Sequence, residues 1–213
     1  MSTLQTLKFE TKRKNLFLRV AVGHFATTNR HTNYYIDVVS QKARLSEAKA
    51  VAEELSSYYY ADTVVDTILC LDGTEVIGAF LADYLAKSDI VSMNAHKSIY
   101  VVSPEYTNSN QILFRDNIAP MIKDKNILIL AVSVSSGKTV LAAIDAIRYY
   151  GGKVSGISSI FSTEKDCIDY PVHSIFDPND LDGYSVWRPH ECPLCKEGAK
   201  LDALINSHGF SKI

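Results

Sequence analysis

The segment Ser133-Val134-Ser135-Ser136-Gly137-Lys138-Thr139 sets small hydroxyl residues, a glycine and a lysine between an apolar run and a helix-like stretch. Small side chains at such a junction leave backbone N–H groups free to converge on an anion, and the helix dipole adds to the attraction. Lys138 supplies a point charge, and the hydroxyls of Ser135, Ser136 and Thr139 can donate to phosphate oxygens. The expected phosphate-binding set is therefore Ser133, Ser135, Ser136, Gly137, Lys138 and Thr139. Because the loop ends Gly-Lys-Thr, the Walker A loop of nucleoside triphosphatases is the obvious rival. That loop needs a glycine where this chain has Val132, so it does not fit. The bland alternative is a well-capped helix start that binds nothing.

A second chemistry-bearing pattern lies in the tail, at His190-Glu191-Cys192-Pro193-Leu194-Cys195. CxxC spacing lets two thiolates, Cys192 and Cys195, reach one Zn²⁺, with His190 and His208 available to complete four ligands. One CxxC among scattered histidines is a weak signal, since structural zinc sites usually carry two paired knuckles. A tail turn with two reduced cysteines is the favoured reading. Pro193 and the lack of a βαβ context argue against a thioredoxin-like pair. His24, His31 and His96 are of a type suited to acid–base work, but lone loop histidines read as surface residues. The run Tyr58-Tyr59-Tyr60 ends an amphipathic stretch and reads as packing. A stacking platform for single-stranded nucleic acid would carry basic residues among the rings. Arg115 and Lys123 read as solvated charges, and Trp187 as a pin for the tail.

The elements that must position these residues follow from periodicity. Phe17–Val22 and Tyr34–Val39 are β-prone and suggest a hairpin-like edge over residues 17–39. Ser46 is placed to cap a helix carrying Ala48, Val51, Ala52 and Leu55 at helical spacing. Val64–Leu71 reads as a strand, Asp72-Gly73-Thr74 as a turn, and Val76, Ile77, Phe80, Leu81, Tyr84 and Leu85 as a buried helix face. Ile90–Val102 holds one or two strands, and Ile112–Ile122 a weaker helix ending near Pro120. Asn126–Val132 is the strongest buried strand. The helix after it, over Thr139–Tyr150, is expected to bury Leu141, Ala142, Ile144, Ala146 and Ile147 and to close at Gly151-Gly152. Val154–Phe161 and Val172–Phe176 are further strands, and Ala199–Asn206 has helical character. Unbroken apolar strands alternating with helices imply an α/β fold with a mainly parallel sheet flanked by helices. Ligands of such sheets sit on loops leaving the carboxyl ends of the strands, which points to Asp72–Thr74 and Ser133–Thr139.

With 22 basic and 24 acidic residues in 213, the chain has no electrostatic footprint for nucleic acid. Met1–Asn15 is polar, without the apolar region of a secretory signal, and no run is long enough to span a bilayer. Four cysteines, with Cys70 in an apolar strand, do not make a disulfide framework. A cytoplasmic protein with neither nucleic acid nor membrane as partner is the expectation.

The stretch NILILAVSVSSGKTVLAAIDAIRYYGGKV resembles the phosphoribosyl-pyrophosphate (PRPP) motif of type I phosphoribosyltransferases. Gly23-His24-Phe25 through Tyr34-Tyr35-Ile36-Asp37 is similar to the small N-terminal hood of orotate phosphoribosyltransferases. DTILCLDGTEVIGAFLADYL sits where that family has its pyrophosphate loop, and Cys192–Gly198 is similar to the C-terminal end of some members. The resemblance covers Phe17–Gly198 and implies a Rossmann-like core of five strands, usually in a homodimer. By it the chain divides into a hood (residues 1–40), a core (41–180) and a CxxC tail (181–213). It also implies PRPP with Mg²⁺ as ligand, a 5′-phosphate at Ser135–Thr139, pyrophosphate at Asp72, Gly73 and Thr74, and a base pocket at Tyr34 and Tyr35.

Three departures bear on catalysis. The family's acidic pair, which holds the ribose hydroxyls and supports the oxocarbenium-like transition state, is replaced by Ala131 and Val132. Each lost charge-assisted hydrogen bond is worth about 1.5–3 kcal/mol, so the pair costs roughly two to four orders of magnitude in rate. Val102–Gln111, in place of the mobile catalytic loop, has no basic residue. The arginine that grips the orotate carboxylate is missing from Ser159–Thr163. No catalytic residue is assigned, and Glu75 is the one nearby acid, read as a solvated helix-start charge. The resulting expectation is a phosphoribosyltransferase-like protein of pyrimidine or nucleotide metabolism with weak or altered catalysis. A PRPP- or nucleotide-sensing module, or a dimeric scaffold, is the alternative.

Overall fold

The computed structural model of the chain describes residues 7–10, 16–87, 92–95, 97–109 and 111–213. In chain order the first elements are β1 (Leu7–Glu10), β2 (Phe17–Ala26), β3 (His31–Asp37), α1 (Val39–Ala43) and α2 (Leu45–Ser56). β4 (Thr67–Cys70), α3 (Glu75–Ala86), β5 (Tyr100–Val102), β6 (Glu105–Tyr106) and β7 (Ile112–Leu113) follow. Then come β8 (Asn126–Val134), α4 (Lys138–Tyr149), β9 (Lys153–Ser162), β10 (Asp166–Cys167) and β11 (Tyr170–Phe176). The tail contributes β12 (Val186–Trp187), α5 (Pro193–Lys196), β13 (Ala203–Asn206) and β14 (Gly209–Lys212). They form two units, one built from the chain up to Ser40 and from Pro178 onward, the other from Gln41–Asp177.

The larger unit is a sheet in the order β10-β11-β9-β8-β4-β5. Its five strands from β11 to β5 run parallel, and only the two-residue β10 is antiparallel. β8 is central because nearly every residue of NILILAV is apolar, and Ile127–Val132 is buried on both faces. α4 buries Val140, Ala143, Ile144 and Ile147, spaced i, i+3, i+4, i+7, while Leu141 and Ala146 are only partly covered. α3 buries Ile77, Gly78, Leu81 and Leu85. A Cβ on Gly78 would collide with Cys70 Sγ and lie 3.2 Å from Val101 Cγ1, so glycine is what lets α3 lie close to the sheet. Asp66 accepts from Asn126 N at 2.9 Å and Asn126 Nδ2 at 2.7 Å, tying the starts of β4 and β8 together.

Three segments depart from their expected form. Ile112–Ile122 is no α-helix: it holds the short strand β7 and a 3-10 turn at Ala119–Met121, with Pro120 inside the turn. Ser46 lies in the first turn of α2, whose N-cap is Arg44 with no side-chain cap. Ala199–Asn206 ends in strand β13, because its partner is the backbone of β2.

In the terminal unit β2 and β3 form the expected hairpin, with Arg19 opposite Asp37 and Ala26 opposite His31. The register shifts between Val22 and Phe25, at Gly23-His24. Its other strands come from the tail: β13 pairs parallel with β2, β14 with β13, and β12 with β3, setting Trp187 opposite His31. Hood and tail thus share one sheet. One cluster of its core is Ala21, Phe25, Tyr35 and Ala203, with Ile205 against them, and Leu18 and Val20 are fully buried as well.

Candidate functional site

β4 and β8 are neighbouring parallel strands, with Cys70 opposite Leu130. The loops leaving their carboxyl ends therefore stand side by side on one edge of the sheet, where ligands of this architecture bind. Leu71 N donates to Leu130 O at 2.8 Å. The Thr74 hydroxyl lies 2.9 Å from Leu71 O and 3.1 Å from Leu130 O, so it bolts the first loop to β8.

The second loop turns its carbonyls inward. Val134 O accepts from Thr163 N at 2.9 Å and Ser135 O from Thr163 Oγ1 at 3.1 Å, while Gly137 O accepts from Leu141 N at 2.7 Å. That polarity uses the carbonyls of Val134, Ser135 and Gly137 and none of the N–H groups of Ser136, Gly137, Lys138, Thr139 and Val140. Among the described residues none of them has an acceptor. Gly137, the α4 N-cap, has φ 67° and ψ −6°, a left-handed conformation open to glycine at little cost. A Cβ there would also sit 3.3 Å from Cys167 Sγ. Ser133–Val140 line a hollow of about 40 Å³, room for about three water-sized oxygens. Ser133, Ser135, Ser136, Lys138 and Thr139 are exposed around it, and Gly137 is buried beneath.

In the first loop Asp72 (φ 57°) and Gly73 (φ 80°) are both left-handed, an unusual state for an aspartate. Thr74 is fully buried, so its side chain is a fastener and cannot face a ligand. Lys42, on α1, donates from Nζ to Asp72 O at 2.8 Å. Partial burial lowers its pKa, against the opposing pull of Asp72 and Glu75. This cation was not found from the sequence, since a lone lysine in a polar connector carries no signal. Glu75 accepts from Ser103 Oγ at 2.6 Å. Arg115 pairs bidentately with Glu105, joining the base of the β6–β7 hairpin. Burial, then the charge of Asp72, pushes the Tyr106 phenol up.

Ala131 and Val132 are 1% and 2% exposed, with Ala131 in the main core below the loop. Among the described residues no carboxylate lines the hollow. Tyr34 and Tyr35 are 9% and 3% exposed. The Tyr34 hydroxyl donates to Asp182 O at 2.7 Å. The Tyr35 ring lies 5.3 Å from Phe210 and 6.1 Å from Phe25, and burial followed by the Asp37 charge pushes its phenol up to about 12. Both rings are thus taken up by packing in the terminal unit, with no open face for a planar base. His190 is exposed and pairs with Glu191, away from the ligand atoms of Cys192 and Cys195. His24 and His31 meet those cysteines instead. Burial and the neighbouring His24 hold His31 below the usual imidazole range. His96 lies outside the described residues. Among the described residues no helix is long and apolar enough to cross a membrane.

No protein-family model matches the chain. Among curated proteins it is 23% identical over 182 residues to an orotate phosphoribosyltransferase of Chlorobaculum parvum, covering 85% of this chain and 86% of that one. To the enzyme of that name from Heliobacterium modesticaldum it is 25% identical over 181 residues, covering 83% and 85%. Among solved structures, UMP synthase of Leishmania donovani superposes with a TM-score of 0.55 at 17% identity, covering 76% of this chain and 34% of that one. Mycobacterium tuberculosis orotate phosphoribosyltransferase in complex with PRPP superposes with a TM-score of 0.50 at 13% identity, covering 69% and 82%.

Proposed function

We propose that this chain, which has the type I phosphoribosyltransferase fold and is related in sequence to orotate phosphoribosyltransferases, binds a ribose 5-phosphate ligand of the PRPP type with weakened or altered transfer chemistry. One observation carries the reading: five N–H groups without an acceptor fan from a left-handed glycine at the start of α4, beside a second loop stiffened at Asp72-Gly73. Such a fan suits a phosphate dianion, with Lys138 and the loop hydroxyls added at the rim. The diphosphate would lie toward Asp72-Gly73, with Lys42 beside it.

The missing carboxylates set the chemistry. Ala131 and Val132 give the ribose hydroxyls no acceptor and a developing oxocarbenium no negative charge. The hollow likewise offers Mg²⁺ no carboxylate pair, so the ion would enter chelated by the ligand's own phosphates. This favours retained binding with lost turnover, as in a sensor of PRPP or nucleotides. A soluble homodimer in pyrimidine or nucleotide metabolism completes the reading, with light scattering as the check on assembly.

Calorimetry with PRPP, ribose 5-phosphate and nucleoside monophosphates, with and without Mg²⁺, tests it alongside pyrophosphate release with a panel of bases. Binding with little or no release is expected. Release at ordinary enzymatic rates would overturn the weakened chemistry, and no binding of any phosphorylated ribose would overturn the site.

A further inference from the structure

Four side chains of the terminal unit converge on one point. His24 and His31 come from the β2–β3 hairpin, and Cys192 and Cys195 from the start of α5, 168 residues from His24 in the case of Cys192. Their ligand atoms all lie within 4.8 Å of one another. His24 Nε2 is 3.1 Å from His31 Nδ1, 3.5 Å from Cys192 Sγ and 3.6 Å from Cys195 Sγ, while Cys195 Sγ is 3.3 Å from His31 Nδ1. With Zn–N near 2.05 Å and Zn–S near 2.3 Å, the edges of a zinc tetrahedron are about 3.3 Å for N–N and about 3.6 Å for N–S. Each of the four measured separations falls within about 0.3 Å of its edge.

Hydrogen bonding alone does not account for this arrangement. His24 Nδ1 lies 3.1 Å from Ala199 O, and a carbonyl can only accept, so Nδ1 carries the proton. In the neutral ring Nε2 is then a single lone pair facing three groups at once, more than one imidazole nitrogen can accept from. A cation at the centre takes that lone pair and the other three together. The Ala199 carbonyl is the outer partner that holds a metal-bound imidazole in one tautomer and orientation. The protein positions the ring with care: Asp202 Oδ2 accepts from His24 N at 2.8 Å, and Asp202 N donates to His24 O at 2.8 Å. A Cβ on Gly23 would stand 2.5 Å from that carboxylate oxygen, so a side chain there would push Asp202 off His24 N.

We propose that His24, His31, Cys192 and Cys195 bind one Zn²⁺ in a closed, structural Cys₂His₂ site that staples the tail to the hood hairpin. Thiolate and imidazole donors in a tetrahedral set select zinc over hard cations such as Mg²⁺. Four protein ligands leave no open position, so the role is structural. The unit has reason to gain from one, because the two chain segments it joins are distant in sequence. Binding displaces the two thiol protons and is coupled to folding of the unit.

The test uses the full chain, purified without chelator. Elemental analysis is expected to find about one zinc per chain. Cobalt exchange should give the intense visible bands of a tetrahedral site, with near-ultraviolet thiolate-to-cobalt charge transfer. Cys195→Ser, at an exposed position, should weaken metal binding at least about tenfold and remove part of the charge-transfer band. His190→Ala should leave both unchanged. A metal-free parent that gives no tetrahedral bands on cobalt titration overturns the proposal. So does a Cys192–Cys195 disulfide, or a parent in which His190→Ala abolishes the bands and His31→Ala does not. These readouts are independent of phosphate binding, so the staple and the ligand loop can fail separately.

Discussion

Gly137 allows strain and ligand electrostatics to be separated at a single position. At φ 67° any L side chain costs about 1–2 kcal/mol relative to glycine. The Cys167 Sγ atom, 3.3 Å from the new Cβ, adds only a small shift of a flexible neighbour. Gly137→Ala is therefore expected to destabilise the larger unit by about 1–2 kcal/mol in urea titration, with a coupling to Cys167→Ala below about 0.5 kcal/mol. Gly137→Asp shares that strain and adds a carboxylate at the mouth of the nest. Against a phosphate about 4 Å away, like-charge repulsion is worth from about 1 kcal/mol in bulk water to about 4 kcal/mol near a protein surface. Relative to Gly137→Ala, then, Gly137→Asp should bind ribose 5-phosphate about 5-fold to 1,000-fold more weakly by calorimetry. The gap should narrow as salt rises, because the site is open to solvent. Equal affinities for the two variants would refute the phosphate nest, and a Gly137→Ala protein as stable as the parent would refute the left-handed turn.

Lys42→Ala should weaken PRPP by about 1.5–3 kcal/mol, roughly tenfold to 150-fold, while ribose 5-phosphate stays within about twofold, because Lys42 sits at the Asp72 loop and not at the nest. Equal losses for both ligands in calorimetry would remove Lys42 from a diphosphate role. Asp66 is pulled two ways: burial raises its pKa, but hydrogen bonds from Asn126, with Lys97 and Lys125 nearby, outweigh that and hold it low. Its contribution to stability is therefore present above the ordinary carboxylate pKa and fades as pH falls toward the depressed one. Asp66→Ala should cost about 1.5–3 kcal/mol at pH 7 and progressively less below about pH 4, read as denaturant midpoints across pH. Gly78→Ala should destabilise by about 1–3 kcal/mol through the collision with Cys70, and Cys70→Ala in the same chain should recover part of that loss.

Burial periodicity is a local property, and the sheet that carries the Ser133–Thr139 loop was legible for that reason. NILILAV is apolar enough to be a strand covered on both faces, and the small residues after it open a helix, so strand, loop and helix start were readable from residue types. Even there the helix face was displaced, toward Val140 and Ala143, because its orientation depends on which side of β8 the helix lies. Elements whose form depends on a distant partner were not legible. Ala199–Asn206 has helix-compatible residues, yet Ala203 and Leu204 extend because β2 offers backbone partners to them. Thr74 and the two tyrosines were assigned to ligands on type and position, and packing uses them otherwise: a buried hydroxyl or phenol finds a partner within the protein. The sequence by itself determined the parallel sheet and the loop that turns from β8 into α4, because each rests on neighbours in the chain. Only the tertiary structure decided that His24 and His31, not His190, meet the CxxC. That meeting depends on a β-bulge, the hairpin register and the docking of a tail more than 160 residues away, none of which leaves a periodic trace.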